Sequence, residues 1–169
     1  MYKLMLLDDE ENILKSLMRI LRKNEEWDIE TYTSPQEALK RAQCCIFDVV
    51  ISDYHMPQMN GIEFLSELME MQPDAMRILL TGCVEIDILL EALNKVHAFR
   101  FIPKPWNDET LLETIKEAIT YRNLIHENRM LATQLREQQA ELAQLKQMNK
   151  SNISYQSNDD IFRKSIIER

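Results

Sequence analysis

The stretch Val49-Val50-Ile51-Ser52-Asp53-Tyr54-His55-Met56-Pro57-Gln58-Met59-Asn60-Gly61 decides how the rest of the chain is read. Three apolar residues run into an acid, and a Pro and an Asn-Gly pair follow before a helical pattern resumes. That order describes a buried strand carrying one carboxylate to a sheet edge, then a loop and a helix. In an open parallel sheet, ligands bind beyond the carboxyl ends of the strands, so Asp53 stands where chemistry is expected.

Upstream, Tyr2–Leu7 is an apolar run stopped by Asp8-Asp9-Glu10-Glu11. Ile13, Leu14, Leu17, Met18 and Leu21 then recur at helical spacing, and Trp27–Tyr32 alternates as a strand. Ser34-Pro35 opens a helix reaching about Gln43, with Ser as cap and Pro at the first position. Downstream come a helix over 62–71, a strand over 77–80 closed by Thr81-Gly82, and a helix over 87–96. A short strand over 99–102 ends at Pro103-Lys104-Pro105, and a last helix begins near Asn107 or Asp108. Five strand-helix units predict an α/β fold, a five-stranded doubly wound parallel sheet with helices on both faces. Asp8-Asp9, Asp53, Thr81 and Lys104 then fall at the ends of strands one, three, four and five, all on one edge of the sheet.

Three carboxylates brought together disfavour full ionisation, so Asp8, Asp9 and Asp53 call for a cation. Oxygen ligands without Cys or His point to Mg²⁺. Alone, Asp9 could equally cap the first helix. Lys104, otherwise a surface lysine in a rigid turn, can pair with Asp53 or with a phosphoryl oxygen on it. The Thr81 hydroxyl, unless it caps the next helix, can donate to the same group. Together these parts describe attack of a carboxylate on phosphorus, and added charge at a loop-linked site makes a switch.

Composition narrows the alternatives. The 169 residues are 45% hydrophobic, enough for a core, and the net charge of -8 argues against direct nucleic-acid binding. No run of eighteen apolar residues and no signal-peptide pattern is present, which predicts a cytoplasmic protein without a membrane span. Cys44, Cys45 and Cys83 form no C-x-x-C pair, and His55, His97 and His126 are scattered, so reduced buried cysteines are expected rather than zinc ligands. A phosphatase of the haloacid-dehalogenase type would want an acid two residues after its nucleophile, where His55 stands. A flavodoxin-like carrier would find its phosphate repelled by the acidic run after strand one.

Beyond Tyr121 the pattern changes. Leu124, Asn128, Leu131, Leu135, Gln138, Leu142, Leu145 and Asn149 recur with spacings of four and three, a heptad seam with Leu135 and Leu142 at a, Leu131 and Leu145 at d. Asn128 is a polar a residue favouring a two-stranded state, and Glu141 at g precedes Lys146 at e as in a parallel dimer. A helix folding back on its own domain is the other reading. The expected domains are 1–122, a helical extension over 123–149, and a polar, mobile tail over 150–169.

The motifs Leu-Leu-Asp8-Asp9-Glu10, Asp53-x-x-Met56-Pro57-x-Met59-x-Gly61, Leu80-Thr81-Gly82 and Phe101-x-x-Lys104-Pro105 resemble, in order and spacing, a response-regulator receiver domain of two-component signalling. The resemblance covers about residues 1–122. It implies a flavodoxin-like sheet of order 2-1-3-4-5 and phosphorylation of Asp53 by a sensor histidine kinase or phosphotransfer protein. It further implies Mg²⁺ on Asp8, Asp9, Asp53 and the carbonyl of His55, a Thr81–Phe101 switch pair, and a cis Lys104–Pro105 bond. The activity implied is a self-catalysed phosphotransfer and dephosphorylation, not turnover of a substrate. His97 occupies a position where the family commonly has glycine. The output is expected in a module beyond Arg169, reached through a homodimeric coiled coil; a stand-alone, phosphorylation-dependent binding or scaffold module is the alternative.

Overall fold

A computed structural model describes residues 1–82, 90 and 94–167, with side chains through 148. Cys83 and most of the helix expected over 87–96 lie outside the described residues. The strands are β1 (Tyr2–Leu7), β2 (Trp27–Tyr32), β3 (Val49–Asp53), β4 (Met76–Thr81) and β5 (Arg100–Pro103). The helices are α1 (Glu11–Leu21), α2 (Pro35–Ala42), α3 (Gly61–Met71) and α4 (Asp108–Ile167). All pairings are parallel and the order is β2-β1-β3-β4-β5, as the resemblance implied.

Successive strand residues point to opposite faces, so each central strand feeds two cores. Leu4, Leu6, Val49, Ile51, Ile78 and Leu80 pack beneath α1 and the first turns of α4. Met5, Leu7, Val50 and Leu79 pack beneath α2 and α3. Helix starts follow the local chemistry. Ser34 accepts from the Glu37 amide, Asn60 and Glu63 form a reciprocal capping box, and Asn107 accepts from the Thr110 amide.

Met1–Leu124 forms one compact unit and Ile125–Arg169 a second. The backbone of 150–167, expected as a separate tail, continues α4, since no Gly or Pro follows Pro105 to end a helix. Among the described residues no helix is long and apolar enough to cross a membrane. The expectation of buried cysteines is corrected at Cys44, which is exposed because it falls in the turn after α2, and Cys45 is only half-buried.

Two interactions invisible to periodicity hold the fold's edges. The buried Gln72 amide donates to the carbonyls of Ala42 and Cys45 and accepts from the Phe47 amide. On the outer strand β2, Glu30 accepts from Arg41 through Nε at 2.9 Å and Nη2 at 2.7 Å, from the Tyr32 hydroxyl at 2.6 Å and from Lys3 Nζ at 3.1 Å. Arg41 above all holds the Glu30 carboxyl down to about 2. A carboxyl depressed in the folded state stabilises above its unfolded pKa and loses that contribution as pH falls through the folded one. We therefore expect wild type to exceed Glu30→Gln by about 1–2 kcal/mol near neutral pH, an estimate reduced for the partly exposed partners. The gap should close as pH falls from about 4.5 to about 2, measured by urea unfolding.

Gln58 and His97 have φ of 74° and 47°, the left-handed region that costs a side chain about 1–2 kcal/mol. His97 is exposed, so a glycine would adopt this backbone without losing any packing. His97→Gly is expected to raise stability by about 0.5–1 kcal/mol, read by denaturant midpoint.

Candidate functional site

Register builds the site. Leu7 pairs with Ser52 on the neighbouring strand, which sets Asp8, just past β1, beside Asp53 at the end of β3. Thr81 pairs with Pro103 at the end of β5, and the Lys104 amide donates to the Thr81 carbonyl at 2.7 Å. The Lys104–Pro105 bond is cis. From there the Lys104 ammonium reaches Asp8 Oδ2 and Asp53 Oδ1, each at 2.6 Å.

Asp8 is fully buried and Asp53 is 4% exposed. Burial pushes the Asp8 carboxyl up; hydrogen bonds from Lys104 and the Glu10 amide oppose this, and the charge of Asp53 adds to it. Burial alone would lower the Lys104 ammonium, but the hydrogen bonds to Asp53 and Asp8 outweigh it and the net shift is upward. Two carboxylates therefore share one cation. Lys104 occupies Asp53 Oδ1.

That charge imbalance is the test of whether a metal fits. A net negative, oxygen-only site suits a hard divalent cation, and Mg²⁺ commonly uses one or two carboxylates with several waters. Among the described residues no three acidic, His or Cys side chains converge into a ready cage, so the expected meeting of Asp8, Asp9 and Asp53 is corrected: Asp9 is exposed. Asp9 is not spent on capping either: the N-cap of α1 is Glu10, with no side-chain cap bond. His55 is exposed, its ring edge-on to Tyr54 with centroids 4.5 Å apart. Thr81 is buried, and Phe101 is half-buried against the cluster under α2 and α3.

One residue of the motif has a role that its sequence position did not reveal. A Cβ on Gly61 would lie 2.2 Å from the Asp53 carbonyl oxygen and 2.8 Å from Leu79 Cδ1. The Gly61 amide donates to the Tyr54 carbonyl at 2.9 Å, so the start of α3 is laid directly on the backbone at the end of β3. The Ser52 hydroxyl donates to the same Asp53 carbonyl at 2.9 Å. On α4, Asn128 is exposed, and Leu131, Leu135, Leu142 and Leu145 are each 53–56% exposed.

The family model for the response regulator receiver domain matches residues 4–116. The chain is 30% identical over 116 residues to the hydrogenase transcriptional regulatory protein HoxA of Bradyrhizobium diazoefficiens, covering 69% of this chain and 24% of that one. It is 32% identical over 117 residues to the transcriptional regulatory protein FixJ of Rhizobium meliloti, covering 69% and 56%. The chain thus spans about a quarter of the first relative and about half of the second. Among solved structures, a receiver domain protein from Clostridium thermocellum superposes with a TM-score of 0.68 at 30% identity, over 74% of this chain and 99% of that one. The beryllofluoride-activated NtrC4 receiver domain dimer gives 0.68 at 34% identity, over 72% and 99%.

Proposed function

Because the chain belongs to the response regulator receiver domain family, we propose that it is a switch thrown by transfer of a phosphoryl group from a histidine kinase or phosphotransfer protein to Asp53. The observation that carries this reading is the single ammonium of Lys104 held between Asp8 and Asp53. In the step, a bond forms between Asp53 Oδ2 and phosphorus as the P–N bond of the donor phosphohistidine breaks, and the imidazole leaves. Lys104 then pairs with a phosphoryl oxygen, and the Thr81 hydroxyl donates to another while Phe101 turns into the space it leaves. Asp8, Asp9, Asp53 and the His55 carbonyl are the groups that would hold Mg²⁺, which supplies neutralisation of the phosphoryl oxygens. The chemistry is self-catalysed, one phosphoryl group per site, with hydrolysis resetting the switch.

The exposed leucines of α4 support relay through a homodimeric helix to an output module outside this chain. The NtrC4 receiver structure is itself a dimer. The alternative is a stand-alone binding or scaffold module. Incubation with acetyl phosphate and Mg²⁺ is expected to add one phosphoryl group by intact mass, and chelation of the metal should prevent it. Equal labelling without divalent metal would remove Mg²⁺ from the proposal.

A further inference from the structure

β2 is the last strand on its side of the sheet. The Tyr2 and Asp8 amides donate to the Glu26 and Tyr32 carbonyls at 2.7 and 3.2 Å. In a parallel ladder alternate residues of a strand bond to the same neighbour, so Asp28 and Glu30 also face β1. Ile29 and Thr31 therefore turn their N–H and C=O groups outward, and among the described residues nothing bonds to them. Natural edges are commonly blunted by Pro, by an outward charge or by a bulge. Here the outward positions are β-branched, and the register runs unbroken from Trp27 to Tyr32.

A groove follows the same edge under α1. Two cavities, of about 520 Å³ beside Thr31 and Thr33 and about 250 Å³ beside Trp27 and Ile29, share Met18 and Arg22. From Trp27 to Thr33 the strand covers about 20 Å, the span of a short extended segment. Leu14 and Met18 give the groove an apolar wall. Arg19 and Arg22 are exposed on its α1 side, and among the described residues neither guanidinium meets an acid. Of the acids along it, Glu11 is held by Lys15 at 3.0 Å and Asp28 by Lys3 at 3.2 Å, while Glu25 and Glu37 stand towards opposite ends. Positive charge is thus concentrated mid-groove, in a chain whose net charge is -8.

We infer that the outer edge of β2 is a docking site for an extended acidic segment of a partner protein, added to the sheet as a further strand. Backbone pairing with Ile29 and Thr31 supplies the affinity, and side chains on the α1-facing side supply the specificity. Apolar residues there meet Leu14 and Met18, and a carboxylate between them meets Arg19 and Arg22. A compact metabolite would leave most of the edge unpaired. A second copy of this chain, paired about a two-fold axis, would set the basic face of α1 against its twin. Since the Tyr32 carbonyl accepts the Asp8 amide, the docked segment lies one strand from Asp8.

The test is binding of a fluorescein-labelled, end-capped heptapeptide, TVTETVT, to the full chain, read by anisotropy. Saturable binding is expected, and the peptide TVTQTVT should bind about fivefold more weakly. Arg19→Gln with Arg22→Gln should lose a similar factor and no longer distinguish the two peptides. Thr31→Pro removes one outward N–H, which an edge strand tolerates, and should abolish binding with the far-UV circular dichroism unchanged. No saturable binding of TVTETVT would overturn the inference, as would equal binding by the arginine variant or by a folded Thr31→Pro chain. A dimer in sedimentation equilibrium that Thr31→Pro dissolves would also overturn it, because the edge would then belong to a second copy. None of these measurements uses a phosphodonor, so the switch reading stands or falls separately.

Discussion

Asp53→Asn is expected to take up no phosphoryl group from acetyl phosphate and Mg²⁺ while the fold survives. The substitution keeps the shape of the side chain but removes the charge and nucleophilicity of Oδ2. It also leaves Asp8 and Lys104 as a one-to-one pair where two acids had shared one ammonium. Stability should therefore be unchanged or higher by about 1 kcal/mol, which separates loss of chemistry from loss of structure. Intact mass after phosphodonor treatment reads the first effect and urea unfolding the second. Labelling of the variant at the wild-type level would place the acceptor elsewhere and sink the functional reading.

Gly61→Ala is expected to damage both the fold and the site. The added methyl would meet a backbone carbonyl at 2.2 Å, and a carbonyl at the end of a buried central strand cannot swing aside as a flexible side chain would. Overpacking of this kind costs typically about 1–3 kcal/mol, and the rigid neighbour puts this case at or beyond the upper end. A Tm fall of roughly 10 °C follows for about 3 kcal/mol in a domain of this size. Relief requires α3 to lift away from β3, which shifts Asp53 relative to Lys104, so slower phosphorylation should accompany the loss. Gly82→Ala is the control: a Cβ there meets nothing within 4 Å, and a change within about 0.5 kcal/mol is expected. An equal Tm for Gly61→Ala and wild type would show that the start of α3 is not clamped on the Asp53 backbone.

Asp53 could be singled out from the chain alone, because a strand's end is marked locally by where its apolar run stops. The same holds for Asp8, Thr81 and Lys104, whose strands were each visible as short apolar runs closed by polar or turn residues. The family motifs then supplied the strand order and the cis Lys104–Pro105 bond, both present in the structure. Gly61 was visible as a motif position, but nothing in its neighbours along the chain says that a carbonyl eight residues earlier leaves no room for a methyl.

What the sequence by itself determined is the alternation of strands and helices, the sheet edge on which Asp8, Asp53 and Lys104 meet, and the heptad rows beyond Tyr121. These are properties of periodicity, set by residues a few positions apart. Only the tertiary structure decided that one ammonium serves both Asp8 and Asp53, that Asp9 stays exposed, that Gln72 and Glu30 fasten the edges, and that Arg122 reaches back to Asp48. Those partners are brought together by register and by the turning of the chain, and hydrogen bonds between groups so far apart in sequence leave no trace in local spacing.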